Sequence, residues 1–336
     1  MNKILSFFLV LITSISFAQI PDGYYDSADG LTGDALKSAL HDIIDNHEEY
    51  SYNNLRDFIL RETDEDPNNS NNVILLYTGR SQAKSTFGGG ANDWNREHVW
   101  AKSHGDFGNN PPCGTDAHHI RPTDASVNSS RGNLDFDEGG TPLPEAPGCK
   151  RDSDSFEPRD EVKGDVARMI FYMGVRYEGG SGEPDLEVVD YVNTSPSPEH
   201  GKLQKLLDWH LMDPPDAFEI NRNEVIYSYQ ENRNPFIDHP EYVDHIWGDP
   251  NAIEDEDYMD ISFYPNPATY IVNIVFSENV ELNYTIVSVD GKTVAQGQTF
   301  SGNNTVDISS LNSGLYMFIM KKSNNIVVKQ YKLMKQ

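Results

Sequence analysis

The chain has 336 residues, 53 acidic side chains against 26 basic ones, and a formal net charge of −27. A surface of that sign repels nucleic acid at long range and weighs against binding through one broad basic face. Cys113 and Cys149 are its only cysteines, so a disulfide-dense scaffold is excluded and at most one bridge can form.

Residues 1–18 read as a secretory signal. Lys3 precedes an apolar run from Ile4 to Ile12, and Ser16-Phe17-Ala18 supplies small residues for cleavage after Ala18. That run is too short to span a bilayer comfortably, and no later segment is apolar enough, so no transmembrane segment is expected. Outside the cytosol disulfides persist, and a Cys113–Cys149 bridge is expected over two free thiols.

Residues 19–247 form a first part, mainly helical around a small sheet. Ala35-Leu36, Ala39-Leu40 and Ile43-Ile44 recur at helical spacing, with Thr32 as the cap. Val73 to Tyr77 is a short buried strand candidate. Pro158 can open a helix running through Val162, Val166, Met169, Ile170 and Met173. Leu203, Leu206, Leu207 and Trp209 mark another, and Val225, Ile226 and Tyr229 a third.

Between these elements lies Asn95 to Phe136, NREHVWAKSHGDFGNNPPCGTDAHHIRPTDASVNSSRGNLDF. Trp94 to Trp100 reads as a strand carrying Glu97, a hard carboxylate suited to Mg²⁺ or Ca²⁺, and His98, which can take a proton from water. Neighbours on a strand point to opposite faces, so a strand end or a bulge is needed for both to serve one site. Asp124 can cap a helix that carries Asn128, whose amide oxygen is a second hard ligand. His98, His104, His118 and His119 also permit a zinc reading, though the spacing is not HExxH. One of the adjacent pair His118 and His119 is expected to be structural. Asp116 either orders a site histidine or caps a turn. His104 and Asp106 fall in a Gly/Asn-rich loop and are expected to be solvated.

Gly248 to Ser262 is acidic and poor in apolar residues, which marks a linker. From residue 263 onward six lysines face Glu278, Glu281, Asp290 and Asp307, a balance of +2 that leaves −29 on residues 1–262 and −30 once Lys3 is removed with the signal. Tyr270–Phe276, Tyr284–Val289 and Leu315–Met320 alternate as strands, with turns at Asp290-Gly291 and Ser313-Gly314, so residues 263–336 are expected to form a small β-sandwich. The whole is thus an α+β chain in two parts.

Phe263-Tyr264-Pro265-Asn266-Pro267, Asp290-Gly291-Lys292, Leu311 to Tyr316 and the Lys-rich end resemble the C-terminal sorting domains of the type IX secretion system of Bacteroidetes. That resemblance implies export across the outer membrane, then release or attachment to the cell surface, with the secretion machinery as partner.

The first part resembles the secreted bacterial endonuclease I family. Five blocks match in order: Arg96-Glu97-His98; Asp116 to Pro122; Val127-Asn128 with Arg131-Gly132-Asn133; Ala167 to Met173; and Asn232 to Phe236. The resemblance implies a ββα-metal nuclease acting on DNA, with RNA as a further substrate, through Mg²⁺, with Ca²⁺ or Mn²⁺ as alternatives. It carries metal binding to Glu97 and Asn128 and the general base to His98, with His119 as the second candidate base. The family carboxylate near the leaving group falls at Gly114, leaving that role vacant or to another acid such as Asp116. The family's phosphate-gripping arginine does not align, so Arg121 and Arg131 stand in by proximity. Arg96, Lys102, Lys150 and Arg151 complete the basic groups around the motif, while Arg168 and Asn234 are expected to hold helices against it. A monomer is expected.

Overall fold

The computed structural model describes residues 20–180, 182–248, 261–288, 292–322 and 327–336. The expected signal, most of the expected linker and the Asp290-Gly291 turn lie outside these residues. The chain divides into two compact units, Met1–Asp249 and Pro250–Gln336. No helix among the described residues is long and apolar enough to cross a membrane.

The first unit is built on the helix Lys163–Arg176, every residue of which is buried. It opens after a 3-10 turn at Asp160–Val162 rather than at Pro158. A helix buried all round must pair its charged residues internally. Lys163 meets Glu157 at 2.8 Å, Arg168 meets Glu219 at 2.5 Å, and Arg176 meets Asp45 at 2.8 Å. Around it pack Gly33–Ile44, with Leu36, Leu40 and Ile44 inward, and Leu203–Met212, with Leu206 and Trp209 inward. Thr32 occupies the cap position of the first helix but lends no side-chain hydrogen bond. Ala217–Gln230 is capped by Asp216, which accepts from the Phe218 and Glu219 amides.

The strand expected over Val73 to Tyr77 runs instead over Asn69–Ile74. Leu75, Leu76 and Tyr77 are fully buried past its end, so their apolar run marks burial and not ladder pairing. Two further strands, Trp94–His98 and Ile120–Asp124, pair antiparallel from Trp94↔Asp124 to His98↔Ile120 without a break in register. The helix Ala125–Arg131 follows at once, because Asp124 accepts from the Ser126 amide and Gly132, at φ +63°, ends it after two turns.

The second unit differs from the expected sandwich. It is one five-stranded antiparallel sheet, Ser262–Tyr264, Ile271–Ser288, Gly314–Lys322 and Val327–Lys335 in order, with Thr293–Asp307 also paired to Ile271–Ser288. The two expected strands Tyr270–Phe276 and Tyr284–Val289 are halves of one long strand. A register shift between Phe276 and Glu281 separates them, and only the first half pairs with Ser262–Tyr264 while only the second pairs with Gly314–Lys322. An Ala268–Lys335 bridge returns the last strand towards the sheet's start, so the sheet nearly closes around Val272, Ile274, Leu282, Ile286, Phe318 and Leu333.

Candidate active site at the end of a buried strand

Glu97 and His98 are the last two residues of their strand and are 1% and 6% exposed. With no bulge in the ladder, their side chains leave the strand on opposite sides, and a shared site rests on their place at its end. The Glu97 carboxylate accepts from the Tyr77 hydroxyl at 2.7 Å and lies 3.4 Å from the Arg131 guanidinium. The His98 ring stacks on Tyr52 at 5.6 Å and meets His119 at 5.4 Å and Phe107 at 6.4 Å. Asn128 reaches the same strand from the following helix. Its Nδ2 donates to Asn95 Oδ1 at 2.8 Å and to the Arg96 carbonyl at 3.1 Å. A carbonyl only accepts, so the amide nitrogen must face it, and Asn128 Oδ1 points the other way.

The same reasoning sets the histidine. His98 Nε2 lies 3.1 Å from the Gly114 carbonyl and must carry the proton, which leaves Nδ1 with a bare lone pair. Burial pushes the His98 pKa well below the ordinary histidine value, and His119, Lys102 and Arg96 push the same way. The ring is therefore neutral near pH 7, the form that accepts a proton. Gly114 earns its place by geometry: a Cβ there would sit 2.7 Å from the Gly108 oxygen and 2.9 Å from Asn109 carbons. No carboxylate fits at this position, and what it offers is a backbone acceptor.

The two arginines expected at the phosphate are paired within the protein. Arg121 is buried, with Nε 2.5 Å from Asp64 and NH1 3.1 Å from Asp165, and Arg222 joins the Asp64 carboxylate. Arg131 is also buried. It donates to the carbonyls of His98 at 3.1 Å and Val99 at 2.7 Å, so it braces the strand end and Glu97. Both arginines are tied down by tertiary partners that proximity in sequence could not reveal. Lys150 pairs with Glu157 at 2.9 Å, while Arg96 and Lys102 stay half-buried near His98.

His118 and His119 are both buried, with Nε2 on the carbonyls of Asn232 at 3.3 Å and Cys113 at 2.9 Å. Burial lowers His118 to about 3 and His119 to about 4. His119 shares the His98 side of the strand; His118 packs on Tyr172 at 4.4 Å. Asp116 does more than cap a turn. It accepts from Tyr172, Tyr177, Gln230 and the His118 amide, which ties three elements together. Burial alone would raise its carboxyl, but His47, His118, His119 and the Gln230 hydrogen bond hold it low. Arg168 and Asn234 do hold helices: Arg168 binds Glu219, and Asn234 donates to the Arg168 carbonyl at 3.0 Å.

Two expectations fail. Asp106 is exposed, but His104 is fully buried, with its ring nitrogens on the Glu199 and Asn133 carbonyls at 2.8 and 2.7 Å. Cys113 and Cys149 form no bridge; both are buried thiols. Cys149 Sγ donates to the Tyr77 carbonyl at 3.3 Å, and burial lifts its pKa to about 11.

A metal can be tested against two donor sets. His104, Asp135 and His200 lie close together and buried. Yet both His104 nitrogens face carbonyls, His200 Nδ1 faces the Gly201 carbonyl at 3.0 Å, and His200 Nε2 faces the Arg131 guanidinium at 3.2 Å. His200 donates through Nδ1 and accepts from Arg131 at Nε2, so it has no lone pair left for zinc, and the cluster braces Arg131 instead. Glu97 and Asn128 suit a hard cation better. Burial raises the Glu97 carboxyl against Arg131 and Tyr77, so a second positive charge beside it would favour its ionised form.

Sequence reasoning missed Tyr52, Tyr77 and the Asp135–His200 pair. Tyr77 ended an apolar run, and its polar tip was the available hint. Nothing local marked the others.

Residues 32–241 match the Endonuclease I family, and residues 262–335 match the secretion system C-terminal sorting domain. The chain is 60% identical over 227 residues to an extracellular ribonuclease of Bacillus subtilis (strain 168), covering 67% of this chain and 78% of the relative. It is 62% identical over 225 residues to an extracellular ribonuclease of Bacillus amyloliquefaciens, with the same coverage. Neither alignment is long enough to include the whole of both units, and the sorting domain accounts for the C-terminal one. The chain therefore belongs to the Endonuclease I family and is a secreted nuclease with a type IX C-terminal sorting domain.

Proposed function

We propose that residues 19–247 are a ββα-metal nuclease that hydrolyses phosphodiester bonds in RNA and DNA. The observation that carries this is the His98 ring, its Nε2 on the Gly114 carbonyl and its Nδ1 bare, at the end of a strand that also bears Glu97 and holds Asn128. His98 Nδ1 takes the proton of the attacking water. Glu97 and Asn128 Oδ1 would hold one divalent cation, Mg²⁺ first, with Ca²⁺ or Mn²⁺ as alternatives. When bound, that ion stabilises charge on the scissile phosphate and the leaving 3′ oxygen. Arg131 and Tyr77 keep Glu97 in place.

The relatives' names favour RNA as substrate. A base that activates water has no use for the 2′-hydroxyl, however, so DNA should be cut as well. Products should carry 5′-phosphate and 3′-hydroxyl ends. Cleavage of matched RNA and DNA strands with EDTA, then with added Mg²⁺, is the test. Activity indifferent to EDTA would sink the metal, rescue by zinc alone would favour a histidine site, and 2′,3′-cyclic phosphate ends would sink the water mechanism.

Residues 263–336 are proposed to serve export alone, after an acidic linker at 248–262, with the catalytic unit acting as a monomer. A chain ending at Trp247 should cut RNA at the full-length rate. In the native host it should stay in the periplasm; its appearance in the medium would refute the sorting role.

A further inference from the structure

Arg121, Arg131, Arg168, Arg176, Arg222 and Arg233 are fully buried, and each meets a carboxylate. Arg96 and Lys102 differ. Among the described residues neither has a carboxylate partner. Lys102 Nζ donates to Asn109 Oδ1 at 2.7 Å, and Arg96 donates to the Tyr52 carbonyl. The Arg96 guanidinium lies over the Tyr52 ring, 3.3 Å from its centroid, and the same ring stacks on His98 at 27°. Phe87 adds a second ring, 5.1 Å from Arg96 and 5.0 Å from Arg56. One aromatic ring thus joins the proposed base to a cation that, among the described residues, forms no ion pair.

Half-buried cations without a counter-charge are unfavourable, and here they also oppose one another. Burial lowers the Lys102 ammonium, and Arg96 lowers it further. Most other arginines of this acidic unit pair with carboxylates; among the described residues Arg61 and Arg151 do not, but it is Arg96 whose ring partner also stacks on His98. An anion would relieve the unpaired charge there, and the scissile strand brings one. Ring stacking holds the guanidinium without consuming its charge.

We propose that Arg96 and Lys102 form the phosphate-binding site that seats the nucleic-acid backbone against His98, and that Tyr52 is the positioning residue that fixes Arg96 to the base. The inference rests on His98 as the base of the nuclease reaction. The side chains that grip phosphate are then the residue before the Glu97-His98 pair and one four positions after His98, not Arg121 or Arg131.

The test uses the full chain carrying His98→Ala, so that a short fluorescein-labelled single-stranded RNA stays uncut, with anisotropy read across a NaCl series. Arg96→Ala and Lys102→Ala should each weaken binding about 10-fold, the loss expected for one charge-assisted contact. Each should also shift the slope of log affinity against log salt by roughly +0.7, the share of one phosphate on a single strand. Tyr52→Ala should weaken binding while removing no charge, and Tyr52→Phe should leave it intact. With His98 restored, Arg96→Lys should recover part of the KM lost in Arg96→Ala. Unchanged affinity and slope in both Arg96→Ala and Lys102→Ala would overturn the proposal. Urea midpoints guard against misfolding, and if Arg96→Ala unfolds, Lys102→Ala decides. A full chain unable to cut RNA or DNA in Mg²⁺ would instead overturn the nuclease chemistry, and the binding slopes would still read independently.

Discussion

The two sides of the Trp94–His98 strand end make an instructive contrast. On one side Glu97 meets a hydroxyl and a guanidinium, with the His104, Asp135 and His200 network behind the guanidinium. On the other side His98 meets aromatic rings and one carbonyl. The two residues are consecutive and equally dry, yet burial acts on them in opposite directions, raising the carboxyl and lowering the imidazole. Both shifts favour the neutral form. For a base that form is the working one; for a metal ligand it is the wrong one. A single burial event thus readies His98 and obliges the Glu97 side to supply positive charge.

The largest effect should come from breaking the His98 side. His98→Ala should lower kcat by about 10²- to 10⁴-fold, the contribution of a general base, with Mn²⁺ affinity unchanged in a calorimetric titration. Glu97→Gln should do the reverse in the titration and lose metal. Loss of metal in both variants would show that the sides are not separable.

Breaking the Glu97 side by its brace should cost stability. Arg131→Met leaves a buried carboxylate without its cation, and should destabilise the unit by about 3–5 kcal/mol in urea unfolding. Adding Glu97→Gln removes the stranded charge, so the double variant should be more stable than the sum of the singles. Simple additivity would mean that Arg131 does not serve Glu97.

Acid should sharpen the contrast from the other direction. His47, His98, His118, His119, His200 and His210 all have lowered pKa values, led by burial. Below about pH 6.5 the unfolded chain takes up protons on these rings that the folded chain refuses, so stability falls as pH drops. Each ring contributes about 1.4 kcal/mol per pH unit, down to about pH 4 for His119 and His210. Glu219, raised to about 7, offsets part of this. Urea midpoints that stay level between neutrality and pH 5 would contradict it.

A smaller effect should follow at Gly114. Gly114→Ala forces its loop apart, at a cost of about 1–3 kcal/mol, and moves the carbonyl that sets the His98 tautomer. The kinetic loss should fall on kcat and not on KM. The smallest expected change is with salt. Few unpaired cations face an acidic unit, so screening should weaken repulsion of substrate as much as attraction. Initial rates at saturating Mg²⁺ should be flat or rising from low to moderate NaCl. A steep fall would place the acidic surface away from the substrate path.

The line of residues from Trp94 to Arg131 was legible as a strand and a capped helix, because its cap chemistry and acid–amide pattern are local. Its partners were not. Arg121 finds Asp64 57 positions away, and His104 finds the Glu199 carbonyl 95 positions away. A Gly/Asn-rich loop reads as solvated until distant chain covers it, and an arginine reads as free until its acid is located. The sheet of the second unit failed to read as one for a similar reason. A register shift inside one strand looks, in sequence, like a gap between two.

The acceptor that orients His98 belongs to the main chain. Amino-acid exchange can erase a carboxylate or amide that steers a catalytic ring, and single-base changes do so readily. It cannot erase a carbonyl. Lineages of this enzyme can therefore drift at many surrounding side chains without forfeiting the tautomer of the proposed base, provided the tight path past Gly108 and Asn109 still admits a residue without a Cβ.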